Sequence, residues 1–194
     1  TVPVPAAAVT PAQAAHGAAA RAEVPCPRPK VAPPPARPPR PTPPKDDPVP
    51  AVGEAPPRIH TPTAADVGGD LTKIDTRDPH DDMHEVDFAD VLGHKPVVMI
   101  FATPLLCQSR VCGPVVDVTA QVEDEYRDKV DFIHMEIYND NEVNKGTRPQ
   151  VNAFGLPSEP WLFAIDAKGK VAARMEGAFS VAELQEAVKK ALGE

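Results

Sequence analysis

Pro96-Val97-Val98-Met99-Ile100-Phe101-Ala102-Thr103-Pro104-Leu105-Leu106-Cys107-Gln108-Ser109-Arg110-Val111-Cys112-Gly113-Pro114 is the stretch that decides how this chain folds. Its first half is β-branched and apolar at nearly every position, which predicts a strand buried on both faces. Past Gly113-Pro114, the residues Val115, Val118, Val122 and Tyr126 recur at helical spacing. Two cysteines therefore lie where a central strand gives way to a helix. In an α/β sheet that crevice, at the carboxyl end of a strand, is where chemistry is usually placed.

Outward from this stretch, composition divides the chain before any motif is sought. Of its 26 prolines, 19 fall within the first 62 residues. Residues 1–66 carry seven Lys/Arg and five Asp/Glu, a net of +2, and the remainder carries 13 and 23, a net of −10. The reading is a disordered Pro/Ala-rich linker over 1–66 and one domain over 67–194, a length suited to a single core. An acidic domain argues against nucleic-acid partners, for which phosphate attraction is the main non-specific term. No apolar run approaches the ~20 residues a membrane span requires. A chain that starts at Thr1 fits removal of a secretory leader, so a secreted or cell-surface location is expected.

The proline tract over 25–50 is too dense for a helix or a central strand. As polyproline II it would reach roughly 80 Å and act as a semi-rigid spacer. Cys26 stands alone in it and is read as incidental. Beyond the tract, folding is expected to begin near Val67, with Met83–Val86 a short edge strand. Asp87 is placed to cap a short helix over Phe88–Leu92 that stops at Gly93. Val130–Ile137 reads as a second interior strand, and its His134 as a packed or hydrogen-bonded histidine. Pro149 heads a short helix. Trp161–Ile165 and Val171–Met175 flank Asp166-Ala167-Lys168-Gly169, an antiparallel hairpin with glycine in its turn. Ser180 and Glu183 form a capping box for a last helix striped by Val181, Leu184, Val188 and Leu192. The order β-α-β-α-β-β-α predicts parallel central strands and an antiparallel edge pair.

That order, with a cysteine pair after the first core strand, resembles the thioredoxin-like superfamily. Phe154-Gly155-Leu156-Pro157-Ser158-Glu159-Pro160-Trp161-Leu162-Phe163 is similar to its aromatic-Gly segment that ends in a proline before an apolar strand. Phe101-Ala102, Pro114-Val115-Val116-Asp117, Lys168-Gly169-Lys170-Val171-Ala172-Ala173 and Gly177-Ala178-Phe179-Ser180 match further segments, so the resemblance covers about 96–194. It implies an α/β fold with a central mixed sheet and flanking helices, and thiol–disulfide exchange without a cofactor. It also places Pro160 at the family's cis-proline, against the cysteines, with Glu159 offering backbone hydrogen bonds to an extended substrate. Phe101, Thr103 and Arg110 are the supporting residues.

Two departures bear on mechanism. The family has two residues between its cysteines, and here there are four. Residues five apart in a regular helix have Cα atoms roughly 8.6 Å apart, whereas a disulfide needs about 4.4–6.8 Å. Gln108–Val111 is thus either a turn ahead of a helix that starts near Pro114, or a helical turn that unwinds on oxidation. The family's buried acid on the first core strand falls on Met99, so that base is missing, and the Glu159 carboxylate is a candidate replacement.

Exchange needs a thiolate and a second thiol that resolves the mixed disulfide. Position makes Cys107 the attacker and Cys112 the resolver, with the helix N-terminus and Arg110 favouring a thiolate. The expected partners are protein thiols or disulfides and a redox donor or acceptor protein, and a monomer is expected. Two alternatives stay open. Four-residue spacing after Thr103-Pro104 resembles a peroxiredoxin Q-type thiol peroxidase, although the threonine lies one residue too far from Cys107. A non-catalytic binding module with a structural Cys107–Cys112 staple is the other. A metal site from the two cysteines with His134 or His94 is set aside, because too few ligands lie nearby in sequence.

Overall fold

The computed structural model describes residues 47–194. The expectations for the proline tract up to residue 46 and for Cys26 lie outside the described residues. A four-stranded sheet carries the domain: β1 (Val97–Phe101), β2 (Asp131–Met135), β3 (Trp161–Ile165) and β4 (Val171–Glu176), in the order β2-β1-β3-β4. Strand β1 pairs parallel with β2 and antiparallel with β3, which pairs antiparallel with β4. The helices are α1 (Phe88–Val91), α2 (Cys112–Tyr126), α3 (Pro149–Ala153) and α4 (Val181–Leu192).

Strand periodicity sorts the core into two layers. Val98, Ile100 and Ala102 face α2 and α4, where they pack with Val115, Val116, Val122, Leu184 and Val188. Val97, Met99 and Phe101 face the other way, onto Phe88, Leu92, Val151 and Phe154. All five residues of β1 are fully buried, as expected of a strand covered on both sides. Asp87 accepts a hydrogen bond from the Ala89 amide and starts α1, while Ser180 and Glu183 make the reciprocal box at the head of α4.

Three expectations change. The two central strands, β1 and β3, are antiparallel, and β2 is an edge strand rather than an interior one. It reads as interior because the segment from Asp75 to His84 covers its free edge, where the His134 amide donates to the Met83 carbonyl at 2.9 Å. Met83–Val86 is accordingly a turn rather than a strand, since it makes one backbone bond to β2 instead of a ladder.

The folded body also begins well before Val67. The Gly53 amide donates to the Val171 carbonyl, and the Val171 amide to the Glu54 carbonyl, on the outer edge of β4. Arg174 on β4 donates to the carbonyls of Val49 and Pro50 and to the Asp47 carboxylate. Pro48 lies against Gly155, whose φ is +62°, and a Cβ at Gly155 would meet the Pro48 Cβ at 2.7 Å. Proline content misplaces this boundary because proline suits an edge segment held by its carbonyls as well as it suits a spacer. Among the described residues, no helix is long and apolar enough to cross a membrane.

Candidate active site

Strand β1 ends at Phe101, and the chain from Ala102 to Val111 turns back before α2 opens at Cys112. Of the two arrangements open to a four-residue spacing, the turn ahead of the helix is the one found. Arg110 takes φ +58°, a left-handed conformation that regular helix excludes. The helix starts at Cys112 rather than near Pro114. Pro114 is thus the third helical residue, where its missing N–H has no intrahelical acceptor to lose.

The turn brings the sulfurs together. Cys107 Sγ, Cys112 Sγ and a carboxylate oxygen of Glu159 all lie within 4.8 Å of one another. Cys112 is fully buried, while Cys107 is partly exposed. Thr103, itself buried, links the two: its carbonyl accepts from the Cys107 amide at 3.1 Å, and its own amide is directed at the Cys112 sulfur. Glu159 precedes Pro160 through a cis peptide bond, and Pro160 is buried beside β3.

The two thiols have opposite electrostatics. Burial would raise Cys107, but hydrogen bonding from the Cys112 thiol and the Ser109 hydroxyl outweighs it and holds Cys107 below the ordinary thiol value. Ser109 Oγ lies 3.1 Å from the Cys107 sulfur. Cys112 is pushed far up, first by burial and then by its bond to Cys107, with the Glu159 charge adding to both. Glu159 in turn is raised by burial and by the nearby Glu136 carboxylate. A half-buried carboxyl group with a raised pKa beside a buried thiol can take and return a proton.

The remaining residues named from sequence fall around this centre in different ways. Phe101 packs on the opposite face of the sheet, against Phe154 and Phe163. Arg110 is exposed, and the hydrogen bonds that lower Cys107 come from Cys112 and Ser109. Sequence reasoning missed Ser109, Glu136 and Tyr138. Glu136 is buried at the end of β2 and accepts from the Thr76 amide and hydroxyl, and Thr76 Oγ1 accepts from the Leu105 amide in the cysteine turn. Tyr138 is raised by burial and by the negative charge of Glu159 and the cysteines. The signal for Glu136 was available, as a carboxylate inside the apolar run Phe132–Ile137.

No family model matches the chain, and no curated protein matches its sequence. Solved structures do. A putative thiol:disulfide interchange protein DsbE from Chlorobium tepidum superposes with a TM-score of 0.52 at 16% identity, over 74% of this chain and 99% of that one. A thiol:disulfide interchange protein of the thioredoxin family from Chlorobium tepidum TLS gives 0.50 at 19% identity, over 74% and 99%. The fold is thioredoxin-like. Within a thioredoxin-like fold, the cysteine turn after β1 and the cis-proline loop before β3 meet at one end of the sheet, which is where the three groups of this site lie.

Proposed function

We propose that this chain is a thiol–disulfide oxidoreductase acting on protein thiols or disulfides through Cys107 and Cys112. The observation that carries the reading is the asymmetry of the pair: a partly exposed thiol held below its ordinary pKa beside a buried thiol pushed above it. The description of its structural neighbours as thiol:disulfide interchange proteins supports it. An extracytoplasmic location and a separate redox partner protein belong to the same reading.

In the reducing direction, the Cys107 thiolate attacks one sulfur of a substrate disulfide and expels the other as a thiolate, forming a mixed disulfide. Cys112 then gives its proton to the Glu159 carboxylate and attacks the Cys107 sulfur. The second substrate thiolate leaves, Cys107–Cys112 is left oxidised, and a dithiol donor protein restores it. The oxidising direction is the reverse. Leu105, exposed two residues before Cys107, and the cis-proline loop beside the cysteines are proposed to offer an extended substrate an apolar contact and backbone groups. A peroxidase would need a threonine hydroxyl on the attacking sulfur, whereas the hydroxyl beside Cys107 belongs to Ser109 and that of Thr103 is buried without a hydrogen-bond partner.

The test is adduct trapping. Cys112→Ser should accumulate a mixed disulfide with a protein substrate, because no thiol remains to resolve it, and Cys107→Ser should accumulate little. Trapping by neither variant would leave the pair a structural staple, and rapid peroxide turnover by the wild-type protein would favour a peroxidase.

A further inference from the structure

A second cluster of ionisable groups, apart from the cysteines, is buried where the segment from Asp75 to His84 covers β2. Asp75, Asp81 and His84 come from the segment that covers the edge of β2, and His134 comes from β2 itself. The four residues are between 1% and 4% exposed. One ligand atom from each lies within 4.8 Å of all the others. We propose that Asp75, Asp81, His84 and His134 form a structural site for a divalent transition-metal ion, with zinc the best fit.

Three observations support the assignment. The first is His84. Both of its ring nitrogens are buried and neither has a hydrogen-bond partner, although the ring is enclosed among carboxylates. An imidazole removed from water without a partner is destabilising. Its Nε2 points at the cluster, 3.4 Å from Asp81 Oδ1 and 3.6 Å from Asp75 Oδ2. Those separations are longer than the 2.7–3.2 Å of an ordinary N–H···O bond, and neither contact has hydrogen-bond geometry. They are close to the about 3.3 Å between neighbouring ligand atoms of a tetrahedral ion with bonds of 2.0–2.1 Å.

The second is His134. Its Nε2 lies 3.2 Å from the Ala102 carbonyl, which can only accept, so that nitrogen carries the proton. Nδ1 lies 2.8 Å from Asp81 Oδ2, to which it donates, and 3.8 Å from Asp75 Oδ1, so an ion bound there would displace the Nδ1 proton and take its place among the carboxylates. A ligating histidine that donates its other N–H to a backbone carbonyl is the usual outer arrangement of a metal site. The 2.8 Å contact would have to open by about half an ångström to the tetrahedral spacing.

The third is the scaffold and its charge. The Arg77 and Asp81 amides donate to Asp75, and the Met83 amide donates to Asp81, so both carboxylates are oriented by backbone. Without an ion, burial would lower His134, but the Asp81 carboxylate outweighs it and holds His134 above its ordinary value as an imidazolium. With both imidazoles neutral, as metal ligands must be, the two carboxylates leave two negative charges, which one divalent ion neutralises. Two nitrogen donors disfavour calcium and magnesium, and four enclosed protein ligands describe a structural rather than a catalytic zinc site. His80, a third exposed and 3.5 Å from Asp75 Oδ2, marks the side open to solvent.

The experiment is zinc and cobalt titration of the EDTA-treated full chain carrying Cys107→Ser and Cys112→Ser, which removes the thiol cluster as a competing site. One equivalent of zinc should bind and raise the melting temperature. Cobalt(II) should give the visible bands of a four-coordinate nitrogen and oxygen site, with no sulfur charge-transfer band. Adding His84→Gln should weaken zinc binding at least about 100-fold. Because that variant could unfold, X-ray absorption of the zinc-loaded serine protein supplies an independent reading, expected to show two imidazoles and no sulfur. Failure of zinc to bind or stabilise the serine protein would overturn the proposal and leave a buried imidazolium held by two carboxylates. Zinc binding in the wild type that disappears with the cysteines would also overturn it.

Discussion

Ser109 Oγ lies 3.1 Å from Cys107 Sγ, two residues along the turn that separates β1 from α2. This hydroxyl is one of the two side-chain groups that lower the Cys107 pKa, the other being the Cys112 thiol. Its removal should therefore be read in the nucleophile itself. In Ser109→Ala the Cys107 titration, followed by thiolate absorbance, should move up. A thiolate that loses a charge-assisted bond of ~1.5 kcal/mol is at most about tenfold less populated near neutral pH. Each remaining thiolate is intrinsically more nucleophilic, with a Brønsted slope near ~0.45, so alkylation at pH 7 should slow by no more than about threefold. An unchanged titration would remove Ser109 from the site.

Glu159→Gln separates the two chemical steps. Attack by Cys107 does not use the Glu159 proton and should change little. Resolution by Cys112 does, and it should slow by roughly 10–100-fold near neutral pH. The defect should shrink as pH rises, because solvent base then takes the Cys112 proton. Stopped-flow measurement of mixed-disulfide decay from pH 6 to 10 checks this, and equal slowing of both steps would reduce Glu159 to a packing role.

Glu123 on α2 is raised to about 7, mainly by burial, with Asp82 and Asp81 adding to it against Arg127. A carboxyl whose folded pKa exceeds its unfolded value contributes stability that is present below about 4.5 and is lost as pH rises through about 7. In EDTA-treated protein, Glu123→Gln should match wild type near pH 4.5 and be more stable at pH 8. The side chain is half-buried, so solvent screening reduces the expected gain to about 1 kcal/mol. Urea melts at the two pH values measure it.

Arg174 ties the segment at 47–50 to β4. It donates to the carbonyls of Val49 and Pro50, pairs with Asp47 at 2.8 Å and lies over the Trp161 ring. Arg174→Ala leaves those carbonyls without their donor and should cost about 1–3 kcal/mol in urea unfolding. Removing residues 1–55 should cost at least as much. Wild-type stability in that truncation would restore the later boundary near Val67.

The local elements were legible in the sequence because their causes are local. An unbroken apolar run makes β1, Asp87 starts α1, the Asp166–Gly169 turn makes the hairpin, and the Ser180–Glu183 box starts α4. The cysteine pair and the loop through Glu159 and Pro160 were also visible, since each is a short motif beside a strand. Groups joined across the chain were not. Nothing near Asp75 or Asp81 in sequence pairs them with His134, 53 residues beyond Asp81. They meet because the edge of β2 needs a cover and the segment from Asp75 to His84 supplies it. The same edge explains why β2 reads as interior, for a covered edge strand buries both faces as a central one does. Likewise, the proline-rich residues from 47 onward belong to the folded body only because β4 offers them an edge and Arg174. Helix caps, turns and apolar runs are decided within a few residues. Which edge is covered, and which buried charges thereby meet, is decided by packing between segments far apart in the chain.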